Sequence, residues 1–313
     1  MIKKCIGCGV VLQNIDEEKV GYVKDINTMD LCMRCFRMKN YREKSNLKPN
    51  YHNDEIITLI NTRFNKCVFL VDILNINSEV IDTFKKINVP KILVISKLDI
   101  IPKSIKVNNI LKRLRLIYQI NEDVITISSL KSININLIRN FISEDKTCIA
   151  GFTNSGKSSL INALVNKDLV LTSNTVNTTL DFIKIEEDNL VFYDSPGLVY
   201  QNEYIKDLSS LTANKLIKPL IYQVKPNSGV KLDKIVLFNN SDKVCNMTFY
   251  TNNSLDIKKI FDKPTGTYMN LKLTNQDIVI KNIGFVSVRD AANLDISKLD
   301  DVIEVRETIF KVM

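Results

Sequence analysis

The rhythm of apolar and polar positions changes twice along the chain. Up to about residue 50 the sequence is polar and shows no sustained apolar period. From about residue 51 to 205, short β-branched runs alternate with helical segments. Val68 to Asp72, Ile92 to Ser96, Val124 to Ser128 and Thr147 to Gly151 read as strands. Val80 to Ile87, Val107 to Tyr118, Leu137 to Ile142 and Lys157 to Val165 read as helices. That alternation predicts βαβ units and a mainly parallel sheet. Phe182 to Ile185 and Leu190 to Asp194 predict a strand pair turned at Asp188-Asn189. Beyond residue 206, a helix-like stretch from Leu208 to Ile217 stops before Pro219. Short strand candidates then follow at Ile235 to Phe238, Met247 to Tyr250, Tyr268 to Leu273, Asp277 to Ile280 and Phe285 to Val288. The expected fold class is α/β with a β-rich carboxy-terminal domain, divided at 1–50, 51–205 and 206–313.

Chemistry enters at the joint between the strand ending at Gly151 and the helix beginning at Lys157. The segment Gly151-Phe-Thr-Asn-Ser-Gly156-Lys157-Ser158 matches GxxxxGK[ST] in the context that motif requires. Its glycines let backbone N–H groups turn towards phosphate oxygens, and the helix amino terminus favours negative charge. Gly151, Asn154, Ser155, Gly156, Lys157, Ser158 and Ser159 are therefore the expected phosphate contacts. Lys157 is expected to reach the β- and γ-phosphates, and the Ser158 hydroxyl to ligate magnesium. Asp194-Ser-Pro-Gly197 closes the strand Leu190 to Tyr193. Its carboxylate can hold magnesium through water, and the Gly197 N–H can meet the γ-phosphate. Between them lies Asn174-Thr-Val-Asn-Thr178-Thr179, where a threonine can close over the metal.

No [NT]KxD motif follows the phosphate loop. Upstream, Ile92 to Ile95 runs into Ser96-Lys97-Leu98-Asp99. The Asp99 carboxylate can accept from both the imino and the exocyclic amino group of guanine, a pair adenine does not offer, and Lys97 can lie over the base. Val124 to Ile127 leads into Ser128-Ser129-Leu130, where a backbone N–H can meet the guanine carbonyl. Both segments sit at the carboxy ends of strands, where open α/β sheets bind ligands. The motif order is thus base, base, phosphate loop, switch, switch. Such a cut of the sheet is allowed when the old termini lie close together at the surface.

Of seven cysteines, Cys5, Cys8, Cys32 and Cys35 form two CxxC pairs 23 residues apart. Four thiolates so paired suit tetrahedral zinc. A redox dithiol would need only one pair in a thioredoxin-like setting, and an iron–sulfur cluster would want a redox partner. Cys67, Cys148 and Cys245 lie in or beside apolar runs and read as small buried hydrophobes. The net charge of +8 points to a polyanion, most simply nucleic acid. Arg34, Arg37, Lys39, Arg42, Lys44 and Lys48, interleaved with Phe36 and Tyr41, offer charge and stacking surface to it. Lys103, Lys106, Lys112, Arg113 and Arg115 form a second basic run. No DNA partner is expected. The first residues carry no apolar leader and no run is long enough to span a bilayer, so a cytoplasmic protein without membrane contact is expected.

The segments CIGCGVVLQ, LCMRCFRMKNY, FLVDILN, SKLDIIP, ISSLK, GFTNSGKSSLIN, NTTLD and DSPGL, in that order, resemble the circularly permuted GTPases of ribosome assembly, specifically the YqeH type. The likeness covers about the first 200 residues with specific motifs and continues more loosely through DIVIKNIGFVSV. It implies GTP or GDP with magnesium, and a GTPase that aids maturation of the small ribosomal subunit through its RNA. By position, Thr179 rather than Thr178 matches the magnesium threonine. Ser96 stands where the family has asparagine, Val176-Asn177 stands for the usual Pro-Gly, and the carboxy-terminal part is short. Leu198 occupies the place of a water-orienting glutamine, which implies slow intrinsic turnover. Asn154 resembles the asparagine of potassium-activated GTPases. Two alternatives stay open: an ATP-using P-loop enzyme, and a non-catalytic RNA-binding scaffold that holds nucleotide for stability.

Overall fold

The computed structural model describes residues 2–41, 51–142, 146–165, 180–187, 190–202, 217–252, 255–299 and 302–310. Thr178, Thr179, Arg42, Lys44, Lys48, the turn at Asp188-Asn189 and the helix expected from Leu208 lie outside them. The chain packs into two compact units. One holds Met1–Ile73, Asp82–Leu98 and Glu122–Val199; the other holds Leu74–Ile81, Asp99–Asn121 and Tyr200–Met313.

The first unit is built on a six-stranded sheet. Its strands are β1 (Lys66–Asp72), β2 (Lys91–Ser96), β3 (Asp123–Thr126), β4 (Thr147–Gly151), β5 (Ile183–Glu187) and β6 (Leu190–Asp194), in the spatial order β3-β2-β1-β4-β6-β5. All neighbours run parallel except β5, which returns antiparallel along β6. The central strands are nearly continuous apolar runs, as expected when both faces are covered. Helices α5 (Ile135–Ile142) and α6 (Lys157–Val165) supply Ile138, Ile142, Leu160 and Leu164 to a core with Val68, Leu70, Val94 and Ile149. Because β4 lies between β1 and β6, the loops leaving β2, β4 and β6 emerge at one edge of the sheet.

Two helices precede the sheet, α1 (Met33–Tyr41) and α2 (Asn53–Arg63). The amino-terminal residues make isolated bridges, Lys4 with Val11 and Gln13 with Tyr22. Their core is small: the four paired cysteines with Val10, Leu12, Val23 and Leu180.

Helix α3 (Ser78–Lys85) falls between β1 and β2 in the chain. The second unit contains α4 (Val107–Tyr118) and two five-stranded sheets. One runs β16-β13-β14-β10-β7, where β7 is Leu220–Val224, β10 Cys245–Thr251, β13 Gln276–Ile280, β14 Gly284–Val288 and β16 Ile303–Glu307. The other runs β11-β8-β9-β15-β12, where β8 is Ser228–Leu232, β9 Ile235–Asn239, β11 Ile257–Ile260, β12 Tyr268–Leu273 and β15 Ala292–Ser297. Met247, Phe249, Ile278 and Val286 of one sheet share a core with Val230, Leu237, Leu294 and Ile296 of the other, which makes a sandwich. Among the described residues no helix is long and apolar enough to cross a membrane.

Candidate functional site

The phosphate loop departs from the central strand where the backbone must pass close to its neighbour. A Cβ on Gly151 would stand 2.6 Å from the Leu70 carbonyl oxygen, so only glycine fits. Asn154 and Gly156 take left-handed backbone at φ 63 and 90, which turns the loop over before α6 begins at Lys157. Ser155 is buried, Asn154 and Ser158 are partly buried, and Ser159 faces solvent.

The DSPGL segment is stitched onto this loop by backbone bonds. Ser195 N–H donates to the Ile149 carbonyl (3.1 Å), Leu198 N–H to Gly151 (3.1 Å) and Thr153 N–H to Leu198 (2.8 Å). Gly197 stands against Thr153, whose Cγ2 would lie 3.1 Å from an added Cβ. Lys157 Nζ donates to the Asp194 carboxylate and, at 2.6 Å, to the Ser195 carbonyl. Both ion-pair partners are buried, so this cation and carboxylate are strongly coupled. The donor set fits a magnesium-bound nucleotide: a cation for phosphate, and a hydroxyl (Ser158) and a carboxylate (Asp194) of the hard-oxygen type magnesium prefers. Leu198 is fully buried.

The base-side segments reach the same edge. Ser96 Oγ donates to the Ser155 carbonyl, with the Val71 carbonyl at 3.2 Å as its second neighbour. The SKLD strand and the phosphate loop are therefore in direct contact, as the permuted reading requires. Leu98 N–H donates to Ile127 (2.9 Å) and Ile127 N–H to Ile95 (2.8 Å), which sets the Ser128 segment beside SKLD. Ser128 closes a tight turn with Ile133, and its hydroxyl accepts from Lys131 N–H at 3.1 Å. Ser129 is partly buried and Leu130 is exposed. Lys97 has φ 60 and pairs with Asp72 at 2.7 Å. Asp99 stands in the single 3-10 turn Leu98–Ile100 that follows β2. Thr179 lies outside the described residues. Asp72 was not singled out by sequence reading, although a carboxylate ending the FLVD strand at the sheet's ligand edge was a usable signal.

The paired cysteines converge. Sγ atoms of Cys5, Cys8, Cys32 and Cys35 all lie within 4.8 Å of one another, buried, with Cys8 and Cys32 at 3.8 Å. Tetrahedral zinc with Zn–S bonds of about 2.3 Å places sulfurs roughly 3.8 Å apart, so the set fits. Cys32 N–H donates to Cys5 Sγ at 3.2 Å, a bond that favours thiolate. Hydrogen bonding from Cys32 holds the Cys5 thiol well below the ordinary thiol range. The other three cysteines are buried, and burial pushes Cys67 and Cys245 up to about 12, which makes them poor ligands and nucleophiles.

In the basic run, Arg34 is partly buried on α1 and Arg37 is exposed. In the second run Lys103, Lys106, Lys112 and Arg115 are exposed, while Arg113 donates to the Thr308 carbonyl.

Several known proteins are similar to the chain. The family described as 50S ribosome-binding GTPase matches residues 146–253, beginning one residue before the phosphate-loop strand. The protein called YqeH of Bacillus subtilis is 27% identical over 92% of this chain and 93% of its own length. The tRNA modification GTPase MnmE of Borreliella burgdorferi is 30% identical over 47% of this chain and 32% of its own. Among solved structures, YjeQ from Thermotoga maritima covers 43% of this chain and 48% of its own, at 21% identity and a TM-score of 0.35.

Proposed function

We propose that the chain, which is similar to YqeH over nearly its whole length, is a circularly permuted P-loop GTPase that hydrolyses GTP to GDP and phosphate as a switch in assembly of the small ribosomal subunit. One observation carries the nucleotide reading: Ser96, opening SKLD, is hydrogen-bonded to Ser155 of the phosphate loop. Base and phosphate motifs far apart in sequence are thereby held together. In this reading the loop N–H groups and Lys157 grip the β- and γ-phosphates, and Ser158, Asp194 and Thr179 serve magnesium. Gly197 meets the γ-phosphate, while Lys97, Asp99 and the Ser128–Leu130 turn read guanine. Magnesium, when bound, neutralises charge that develops on the transferred phosphoryl group. The chain's own residues do the rest. Lys157 moves its charge from Asp194 to the phosphate, and the DSPG backbone reports whether the γ-phosphate is present.

Leu198 cannot orient a water, so intrinsic turnover is slow. Asn154 offers a side-chain oxygen for potassium, which would stand where other GTPases use an arginine finger. Rates that match in potassium and sodium buffers would remove that role. The zinc module, its basic helix and the β sandwich supply the RNA and ribosome contacts in the cytoplasm. The description of the matching family names the 50S particle, so the test includes both subunits. Magnesium-dependent GTP turnover is measured alone, with small subunits and with large subunits, for the natural chain and Lys157→Ala. Turnover that vanishes in Lys157→Ala and rises with small subunits supports the proposal. Turnover unaffected by the substitution, or stimulation by large subunits only, contradicts it. ATP hydrolysis in place of GTP hydrolysis would favour the ATP-using alternative.

A further inference from the structure

The four-cysteine centre holds more than its own segment. The Cys8 carbonyl, inside the first CxxC turn, accepts two N–H groups from distant chain: Leu180 at 2.8 Å and Asp181 at 3.2 Å. The Leu180 side chain is 1% exposed and belongs to the core formed by the cysteines, Val10, Leu12 and Val23. Asp181 is held again from two sides, by Lys4 Nζ at 2.8 Å and by the Tyr51 hydroxyl at 3.3 Å. Gly9 makes the fit possible. Its φ is +79, and a Cβ there would stand 2.8 Å from the Asp181 carbonyl oxygen and 2.9 Å from Ile183 Cγ1.

We propose that the metal-binding knuckle anchors the entry to β5, so that zinc occupancy governs how the chain distinguishes GTP from GDP. The nucleotide half rests on the GTPase reading above, because Leu180 directly follows Thr179, the residue assigned to magnesium. The physical argument turns on which contact is firm. The Lys4–Asp181 pair is half exposed on the lysine side, and surface pairs contribute little. The two backbone bonds and the burial of Leu180 depend on the Cys8 turn, and that turn is fixed when its thiolates are fixed by metal. Loss of metal releases the acceptor and the core together. A ligand shifts a conformational equilibrium only through differential contact with its states. GTP, whose γ-phosphate draws on residues ahead of β5, therefore feels the loss more than GDP.

Hydrogen exchange read by mass spectrometry on the full chain tests the anchor. It compares the zinc-loaded protein, the chelated protein and Gly9→Ala, which keeps all four thiols. The segment 180–187 is expected to exchange roughly tenfold faster after chelation, and also in Gly9→Ala with stoichiometric zinc still bound, while β1 and β4 keep their protection. Unchanged protection of 180–187 while residues 2–36 lose theirs overturns the proposal. In binding titrations, Gly9→Ala is expected to lose about tenfold in affinity for a non-hydrolysable GTP analogue and less than about twofold for GDP. Equal losses, or none, overturn the nucleotide half. Absence of any guanine-nucleotide binding by the natural chain overturns the GTPase reading instead, and the exchange data then judge the anchor alone.

Discussion

At Ser96 a single hydroxyl hydrogen faces two carbonyls, Val71 at 3.2 Å and the nearer Ser155. It goes to the loop, so the residue ties the SKLD segment to the GFTNSGKS loop. Ser96 stands where the resembled family has asparagine, and its hydroxyl makes this bond between the two segments. Ser96→Ala is expected to weaken GTP and GDP alike, by about five- to tenfold, the worth of one hydrogen bond of ~1 kcal/mol. Titration with a fluorescent nucleotide reads this, and a loss for one nucleotide only would refute the tie. Leu198 makes the opposite point. Its side chain is fully buried and its backbone is locked to Gly151 and Thr153. Leu198→Gln should therefore not speed hydrolysis. It should lower stability by about 1–3 kcal/mol, as an amide buried without a partner does. Thermal melting with a single-turnover assay checks both halves. None of this was legible in sequence, which shows that a leucine stands there but not which way it faces.

Among the elements, the parallel strands were legible because burial on both faces writes itself as unbroken β-branched runs. β1, β2 and β4 lie within a residue or two of their expected bounds. The strand expected to reach Ser128 ends at Thr126, because Ser128 turns back to bond Ile133. α2 was missed although Ile56, Ile57 and Ile60 lie at helical spacing and face inward. The polar residues between them masked the stripe. α1 buries Cys35 and Met38, and Cys32 directly precedes it, so its signal was absorbed by the metal motif. In the sandwich, the edge strands β7 and β16 were passed over: β7 is largely exposed, and β16 alternates apolar with charged residues. β16 nevertheless bears the buried pair of Arg306 with Asp277, whose Oδ2 also accepts from Ile309 N–H at 3.0 Å. Burial pushes the Asp277 carboxyl above the usual range, a sign of the desolvation that the arginine offsets. Arg306→Ala leaves that carboxylate without its cation and is expected to cost about 3–5 kcal/mol in urea unfolding. A loss below about 1 kcal/mol would mean the pair is not buried as described.

For the molecule as a whole, the informative feature is order. The strand that ends in SKLD precedes the strand that leads into GFTNSGKS, yet the sheet sets β2 one strand away from β4, across β1. Motif spacing in sequence could announce the permutation only because each motif closes a strand; the hydrogen bond between Ser96 and Ser155 turns that inference into geometry. What sequence could not announce is which distant segments share a core, and the burial of Leu180 among the paired cysteines is the clearest case. Whether this early SKLD segment reads guanine is decided by competition binding with Asp99→Asn. The natural chain should prefer guanosine over adenosine triphosphate by at least about a hundredfold, since a site built for two hydrogen bonds rejects a base that cannot make them. Asp99→Asn, which offers one donor and one acceptor, should lose guanosine and gain xanthosine triphosphate, whose ring N–H and neighbouring carbonyl match it. Equal binding of adenosine and guanosine triphosphate, or an Asp99→Asn chain with unaltered preference, would mean that SKLD does not read guanine.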